Sequence, residues 1–312
     1  MSLRVVLAGG GTAGHVNPLL ATAHVLRTRG AQVKVLGTEE GLESRLVPED
    51  GFELAIVPKV PIPRKPSTDL FSVPTRLNAA VSSAEKVITG ADAVVGFGGY
   101  VAAPAYIAAK RLNIPFVVHE QNVRAGWANR LGARSAAAVA LTFPNTVLRA
   151  RNGVTRVTGM PLRRKIMDLA RARQSEAGRA ETKEIGARIF GVDAKKPTLL
   201  VTGGSLGAQH LNEVLIEAAP KIKKPVQVLH VTGHGKADEV RVAAAAPRIG
   251  FAWEIAEYVH NMDEAMAASD LVLCRSGAGT VSELQALGIP AFYVPFPIGN
   301  GEQRLNAQAQ VK

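Results

Sequence analysis

A chain of 312 residues, 47% of them apolar, is long for a single core and too apolar for disorder, so two packed domains are expected. The formal charge of +11 is uneven: residues 1–160 hold 18 Lys/Arg against 10 Asp/Glu, and residues 161–312 hold 19 against 16. Only 5% of residues are aromatic and no nucleic-acid motif is present, which argues against nucleic acid and leaves phosphorylated substrates, an anionic membrane surface, or a basic surface with no partner as readings of this excess.

In chain order, Val5 to Leu7 form an apolar strand that runs into Gly9-Gly10-Gly11-Thr12-Ala13-Gly14-His15. Glycines at that density let backbone N–H groups approach an anion. Asn17 and Pro18 suit a helix cap and first turn, and a helix runs to Arg29. Strand 32–36, short helix 41–47 and strand 52–57 follow. Residues 58–74 hold five prolines with Lys59, Arg64, Lys65, Leu70 and Phe71, which reads as a surface loop, either membrane-facing or merely connecting. Helix 76–89, strand 91–97 with Gly98-Gly99-Tyr100, a helix to Leu112 and strand 115–119 come next. That strand enters Glu120-Gln121-Asn122, while His119 reads as a structural residue. Strands 136–141 and 154–158 complete a domain spanning 1–160.

Gly159-Met160-Pro161 is a linker, and 162–188 is a charged helical stretch containing Arg163. A second domain, 161–312, repeats the opening device. Strand 197–201 meets Thr202-Gly203-Gly204-Ser205-Leu206-Gly207-Ala208 and a helix to Ala219. Strand 226–231, helix 237–245, strand 251–258, helix 262–268 and strand 271–274 lead to Arg275-Ser276-Gly277-Ala278-Gly279-Thr280 and a helix carrying Glu283. After strand 291–294, a helix begins near Gln303 and the sequence stops inside it, so the second domain is expected to lack its last elements. His234 and Lys236 read as a polar turn. Strands alternating with helices predict an α/β chain of two Rossmann-like, doubly wound parallel sheets.

Gly9, Gly11 and Gly14 spell G-x-G-x-x-G, the dinucleotide turn, but Glu39 and Glu40 come late for a ribose partner and His15 is unexplained. No zinc, calcium, P-loop or nucleophile-elbow pattern is present. The one cysteine, Cys274, excludes an intrachain disulfide and fits a reducing compartment. No signal peptide or run of ~20 apolar residues is seen, which predicts a cytoplasmic chain.

The glycine turns, His119-Glu120-Gln121-Asn122, Cys274 to Glu283, and Gln303 with Asn306 together resemble the bacterial MurG family. These are the UDP-N-acetylglucosamine:undecaprenyl-diphospho-muramoylpentapeptide N-acetylglucosaminyltransferases that make lipid II. The resemblance runs over essentially the whole chain. It implies the glycosyltransferase B fold, with two domains facing a cleft, and inverting transfer that needs neither metal nor cofactor. UDP-N-acetylglucosamine is a substrate, and the acceptor is the undecaprenyl-diphosphate-linked muramoyl-pentapeptide, met at the cytoplasmic face of the membrane by a peripheral protein.

By that resemblance Val259 would read the uracil edge and Glu283 would accept from the ribose hydroxyls. The turn Ala278, Gly279, Thr280, Val281 and Ser282 would face the diphosphate, with Ser205 and Arg163 adding donors. Asn122 and Gln303 would bind the sugar. Thr12, Ala13 and Gly14 would lie near the acceptor diphosphate, with His15 as general base. A transferase with a glycolipid or natural-product acceptor, or an NAD(P)-binding protein, are the alternatives.

Overall fold

The computed structural model describes residues 2–60, 72–204, 209–297 and 301–308. The chain divides into two compact units, Met1–Arg163 and Arg164–Lys312. The proline-rich stretch falls largely on 61–71, so Arg64, Lys65 and Phe71 lie outside the described residues, as does Ser205.

The first unit runs β1 (Arg4–Ala8), α1 (Ala13–Thr28), β2 (Gln32–Gly37), α2 (Glu43–Glu49), β3 (Glu53–Ile56), α3 (Val73–Ile88), β4 (Ala93–Gly96), α4 (Gly99–Arg111), β5 (Phe116–Glu120), α5 (Trp127–Gly132), β6 (Ala138–Leu141) and β7 (Val154–Val157). Its sheet is ordered β3-β2-β1-β4-β5-β6-β7, and each strand pairs with its neighbours in parallel. The order reverses between β1 and β4, so the crevice at their carboxyl ends is the topological switch point where such sheets bind ligands.

β1 shows why the sheet is covered on both faces. Val5 and Leu7 pack with Val16, Leu19, Val35 and Phe97 on one side, while Val6 and Ala8 join Val81, Val94, Tyr106 and Val118 on the other. Successive strand residues point to opposite faces, and both are apolar here because helices lie on each.

The second unit runs α6 (Arg164–Ala172), α7 (Glu176–Phe190), β8 (Thr198–Thr202), α8 (Gln209–Ala218), β9 (Gln227–Val231), α9 (Asp238–Ala244), β10 (Trp253–Ala256), α10 (Met262–Ala267), β11 (Leu271–Cys274), α11 (Ala278–Leu287), β12 (Ala291–Tyr293) and α12 (Glu302–Gln308). Its parallel sheet is ordered β10-β9-β8-β11-β12, with the switch point between β8 and β11. Both doubly wound sheets expected from the sequence are therefore present.

Three elements differ from the sequence reading. α1 starts at Ala13 with Thr12 as its extended cap, and Pro18 lies inside it. Glycine content and Pro18 suggested a later start, but buried Val16 and Leu19 hold the first turns against the sheet. The charged stretch after the linker is two helices, because Ser175 caps α7 by accepting the Gly178 N–H at 3.0 Å. The short helix α5 was not anticipated at all.

Two buried histidines give the fold a pH dependence. His119 is held between the Gln121 amide, which donates to Nδ1 at 3.0 Å, and the Gly159 carbonyl, which accepts from Nε2 at 3.2 Å. His230 donates through Nε2 to Asn212 at 3.0 Å. Burial pushes both imidazoles from 6.5 down to about 4. The folded state keeps them neutral while the unfolded chain takes up protons below about 6.5, so stability is full above that pH and falls as the pH drops toward 4. Each removes about 3 kcal/mol of stability as the pH falls across that window. Thermal denaturation at pH 7, 6, 5 and 4.5 should show Tm falling progressively, and the fall should shrink in His230→Asn. An unchanged slope in that variant would remove His230 as a cause.

Candidate active site

The site in the first unit is built at the ends of β1, β4 and β5. Beyond β1 the chain turns through Gly9, Gly10 and Gly11 into α1, which places His15 in the first helical turn. Thr12 caps the helix with its backbone but not with its side chain; its hydroxyl lies instead 3.2 Å from His15 Nδ1. The Ala13 and Gly14 N–H groups, at the start of the helix, have no intrahelical acceptor, so this turn presents donors and a positive dipole end.

His15 is half-buried, and its Nδ1 sits 3.1 Å from the Gly10 carbonyl oxygen. A carbonyl can only accept, so Nδ1 carries the proton and Nε2 keeps its lone pair. Burial lowers the His15 pKa from 6.5, opposed by the Gly10 hydrogen bond and by the Glu43 carboxylate. The residue is therefore a neutral imidazole at pH 7, with Nε2 as its basic atom.

Nε2 lies beside the glycine pair that opens α4. A Cβ at Gly98, where φ is +89°, would stand 3.2 Å from His15 Nε2 and 3.5 Å from Asn129 Nδ2. A Cβ at Gly99 would fall 2.5 Å from the Gly10 oxygen. Gly98-Gly99 thus lets two backbones and the His15 ring meet closely.

At the end of β5, buried Glu120 organises the next turn. Its carboxylate accepts from the Asn122 N–H at 2.9 Å, the Gly126 N–H at 3.1 Å and Asn129 Nδ2 at 2.9 Å, and the Asn122 side chain adds a further hydrogen bond. Burial raises the Glu120 pKa and these donors pull it back. Asn129 in turn accepts from the Tyr106 hydroxyl at 2.8 Å. Asn122, an expected sugar ligand, is therefore held by a carboxylate two residues before it.

In the second unit the expected donor-site residues Val259 and Ala278 to Glu283 follow the carboxyl ends of β10 and β11, two strands that β9 and β8 separate. α11 begins at Ala278 behind Gly277, which has no side chain to cap it, so Ala278, Gly279 and Thr280 present first-turn N–H groups. Val281 is fully buried and its N–H donates to the Gly277 carbonyl at 3.0 Å, so this expected diphosphate neighbour packs the helix against the core, while Ser282 is half-buried on the same helix. Glu283 and Val259 are each 9% exposed, which places them at the edge of the core and not on an open face.

Arg275 donates to the Val294 and Pro295 carbonyls at 3.1 and 3.2 Å, tying the β11 turn to the segment after β12. Gln303 Oε1 accepts the Phe296 N–H at 2.9 Å, so α12 is anchored to that segment as well. His234 stacks on Tyr258 with ring centroids 4.9 Å apart, and the Gly235 N–H donates to Glu257 at 2.9 Å. Arg163 is half-buried at the end of the first unit. Among the described residues, no three of His, Cys, Asp and Glu gather as a metal site requires. No described helix is long and apolar enough to cross a membrane.

Sequence reasoning missed Glu43 and Asn129, and it placed Glu120 at the end of a strand without giving it a role. Glu43 accepts the Gly11 N–H at 2.8 Å, along with the N–H and hydroxyl of Thr38 at 2.9 and 2.8 Å. A glutamate shortly after β2 was the available signal; the dinucleotide pattern directed attention to Glu39 and Glu40, which are exposed. With the Gly11 N–H satisfied internally, the first turn of α1 is the part of the loop open to an anion.

Comparison with known proteins identifies the scaffold. Residues 5–141 match the glycosyltransferase family 28 N-terminal domain and residues 198–312 its C-terminal domain. The chain belongs to glycosyltransferase family 28, with the MurG enzymes. It is 51% identical to the Streptomyces coelicolor UDP-N-acetylglucosamine–N-acetylmuramyl-(pentapeptide) pyrophosphoryl-undecaprenol N-acetylglucosamine transferase, over 99% of this chain and 82% of that protein. The Bifidobacterium adolescentis protein of the same name is 47% identical, over 98% of this chain and 82% of its own length. Among solved structures, Acinetobacter baumannii MurG superposes with a TM-score of 0.76 at 32% identity, covering 98% of this chain and 82% of that one. The calicheamicin glycosyltransferase CalG4, at 16% identity and a TM-score of 0.65, shares the fold, covering 99% of this chain and 83% of that one. The family 28 chain thus has two Rossmann-like domains of the glycosyltransferase B type.

Proposed function

We propose that this chain transfers N-acetylglucosamine from UDP-N-acetylglucosamine to the 4-hydroxyl of the undecaprenyl-diphosphate-linked muramoyl-pentapeptide, converting lipid I to lipid II in peptidoglycan synthesis. The observation that carries this reading is 51% identity across 99% of the chain to a transferase of that name. The geometry supplies a mechanism that fits it. His15 Nε2, with its lone pair free, takes the proton of the acceptor hydroxyl as that oxygen attacks the anomeric carbon. The new C1–O4 bond forms as the C1–O bond to the diphosphate breaks on the opposite face, inverting the centre and leaving the electron pair on UDP.

The leaving diphosphate meets the first-turn N–H groups of α11, with Arg163 and Ser205 as added donors, so this reading requires neither metal nor cofactor. Glu283 takes the ribose hydroxyls, the Val259 backbone the uracil edge, and Asn122 and Gln303 the sugar. Thr12, Ala13 and Gly14 lie with the acceptor diphosphate. The protein works peripherally at the cytoplasmic membrane face, in keeping with the basic balance of residues 1–160 and the mixed apolar and basic sequence at 58–74.

UDP release should require both UDP-N-acetylglucosamine and a lipid I analogue and should persist in EDTA, and anionic vesicles should retain the protein. UDP-N-acetylglucosamine should raise Tm by mass action where NADH does not. Stabilisation by NADH alone would favour the dinucleotide reading, and donor binding without turnover on lipid I analogues would favour a different acceptor.

A further inference from the structure

Glu43 has no place in the mechanism above, yet it is fully buried and accepts hydrogen bonds at both carboxylate oxygens. Three glycines make its seat. A Cβ at Gly10, Gly37 or Gly41 would lie 2.2, 2.5 or 2.1 Å from Glu43 side-chain atoms. Burying a carboxylate costs free energy unless donors surround it, and the chain supplies them from two separate turns, after β1 and after β2. One oxygen takes Gly11 N–H; the other takes both Thr38 donors.

What this clamp holds is the peptide next to the reacting side chain. Gly11 N–H and the Gly10 carbonyl belong to the same peptide unit, and that carbonyl receives His15 Nδ1–H at 3.1 Å. Fixing one end of a planar peptide unit fixes the direction of the other. The Gly99 backbone approaches the same peptide so closely that a Cβ there would stand 2.5 Å from the Gly10 oxygen.

We propose that Glu43 is a positioning residue: by holding the Gly10–Gly11 peptide, it aims the Gly10 carbonyl at His15 Nδ1 and so leaves Nε2 as the proton-accepting atom. Its contribution to catalysis rests on the assignment of His15 as base; its control of the imidazole tautomer does not. A carboxylate is required at this position because donors face both oxygens. Glutamine would turn an NH₂ against either Gly11 N–H or Thr38 N–H, and neither backbone group can rotate away.

The test is Glu43→Gln, read in two ways. In ¹⁵N-imidazole spectra at pH 8, with His15 assigned through a His15→Gln reference, the wild type should show the Nδ1–H form, and Glu43→Gln should shift His15 toward a mixture with Nε2–H. In steady-state assays kcat should fall on the order of 10- to 100-fold, the usual size of losing an orienting partner, with KM for UDP-N-acetylglucosamine within about twofold. If Glu43→Gln does not fold, Thr38→Val, which removes one donor at nearly constant shape, should move the same resonances in the same direction to a smaller extent. Unmoved His15 nitrogens in the folded variant overturn the proposal whatever the activity. A moved tautomer in a protein that does not turn over lipid I upholds it and counts against the functional reading instead.

Discussion

His15→Ala should lower kcat by about 10²- to 10⁴-fold, the range for losing a positioned general base, while KM for UDP-N-acetylglucosamine stays within about twofold. That is about 3 to 5 kcal/mol of transition-state stabilisation. The split follows from where the residues lie: His15 is on the first unit, whereas Glu283, Val259 and the α11 turn proposed to hold the nucleotide are on the second. A pH profile separates a base from a purely structural histidine. Burial puts the His15 pKa below 6.5, so wild-type kcat should be flat near neutrality and fall on an acid limb below that value as the imidazole is protonated. In the alanine variant the limb should vanish along with the rate. Unchanged turnover would remove His15 as base while leaving the fold and family untouched.

Much of this was legible in the sequence, for identifiable reasons. A buried strand, a glycine turn and a helix form a local pattern, so β1 with Gly9 to Gly14 and β11 with Gly277 could be placed from the residues themselves. Leu271–Cys274 was read to its observed bounds. What could not be read was anything set by side chains distant in the chain. Glu43 reaches Gly11 across 32 positions, and nothing local distinguishes it from the exposed Glu39 and Glu40. Asn129 sits on a six-residue helix too short to show a period, and it becomes informative only when Tyr106 and Glu120 are seen to meet there. The start of α1 was misread because propensity disfavours glycine in a helix, while packing of Val16 and Leu19 outweighs that preference. The misreading matters for function: with the helix starting at Ala13, His15 rides on a rigid first turn, and its tautomer is set by the carbonyl five residues before it.

The largest expected loss of stability is at Gly99. Gly99→Ala should destabilise the first unit by about 2 to 5 kcal/mol, combining the cost of a side chain in the left-handed region with the cost of forced overlap. Its φ is +79°, and the added Cβ would lie 2.5 Å from the Gly10 oxygen and 3.4 Å from Gly10 C and N. Neither side can give easily. Gly10 is tied through Gly11 to Glu43, and Gly99 opens a helix whose Val101, Ala102, Ala103 and Ala105 are buried at 2% exposure or less. Gly30→Ala is the internal control: φ is +83° there, but nothing lies within 4 Å of the new Cβ, so it should cost only the backbone share of about 1 to 2 kcal/mol. At roughly 2–4 °C per kcal/mol for a unit of this size, Tm should fall further in Gly99→Ala than in Gly30→Ala by several degrees. Because the displaced carbonyl is also the partner of His15 Nδ1, folded Gly99→Ala should lose kcat as well, whereas Gly30→Ala should keep it. Equal Tm losses in the two variants would mean that the close approach of Gly99 to the Gly10 carbonyl does not constrain the site.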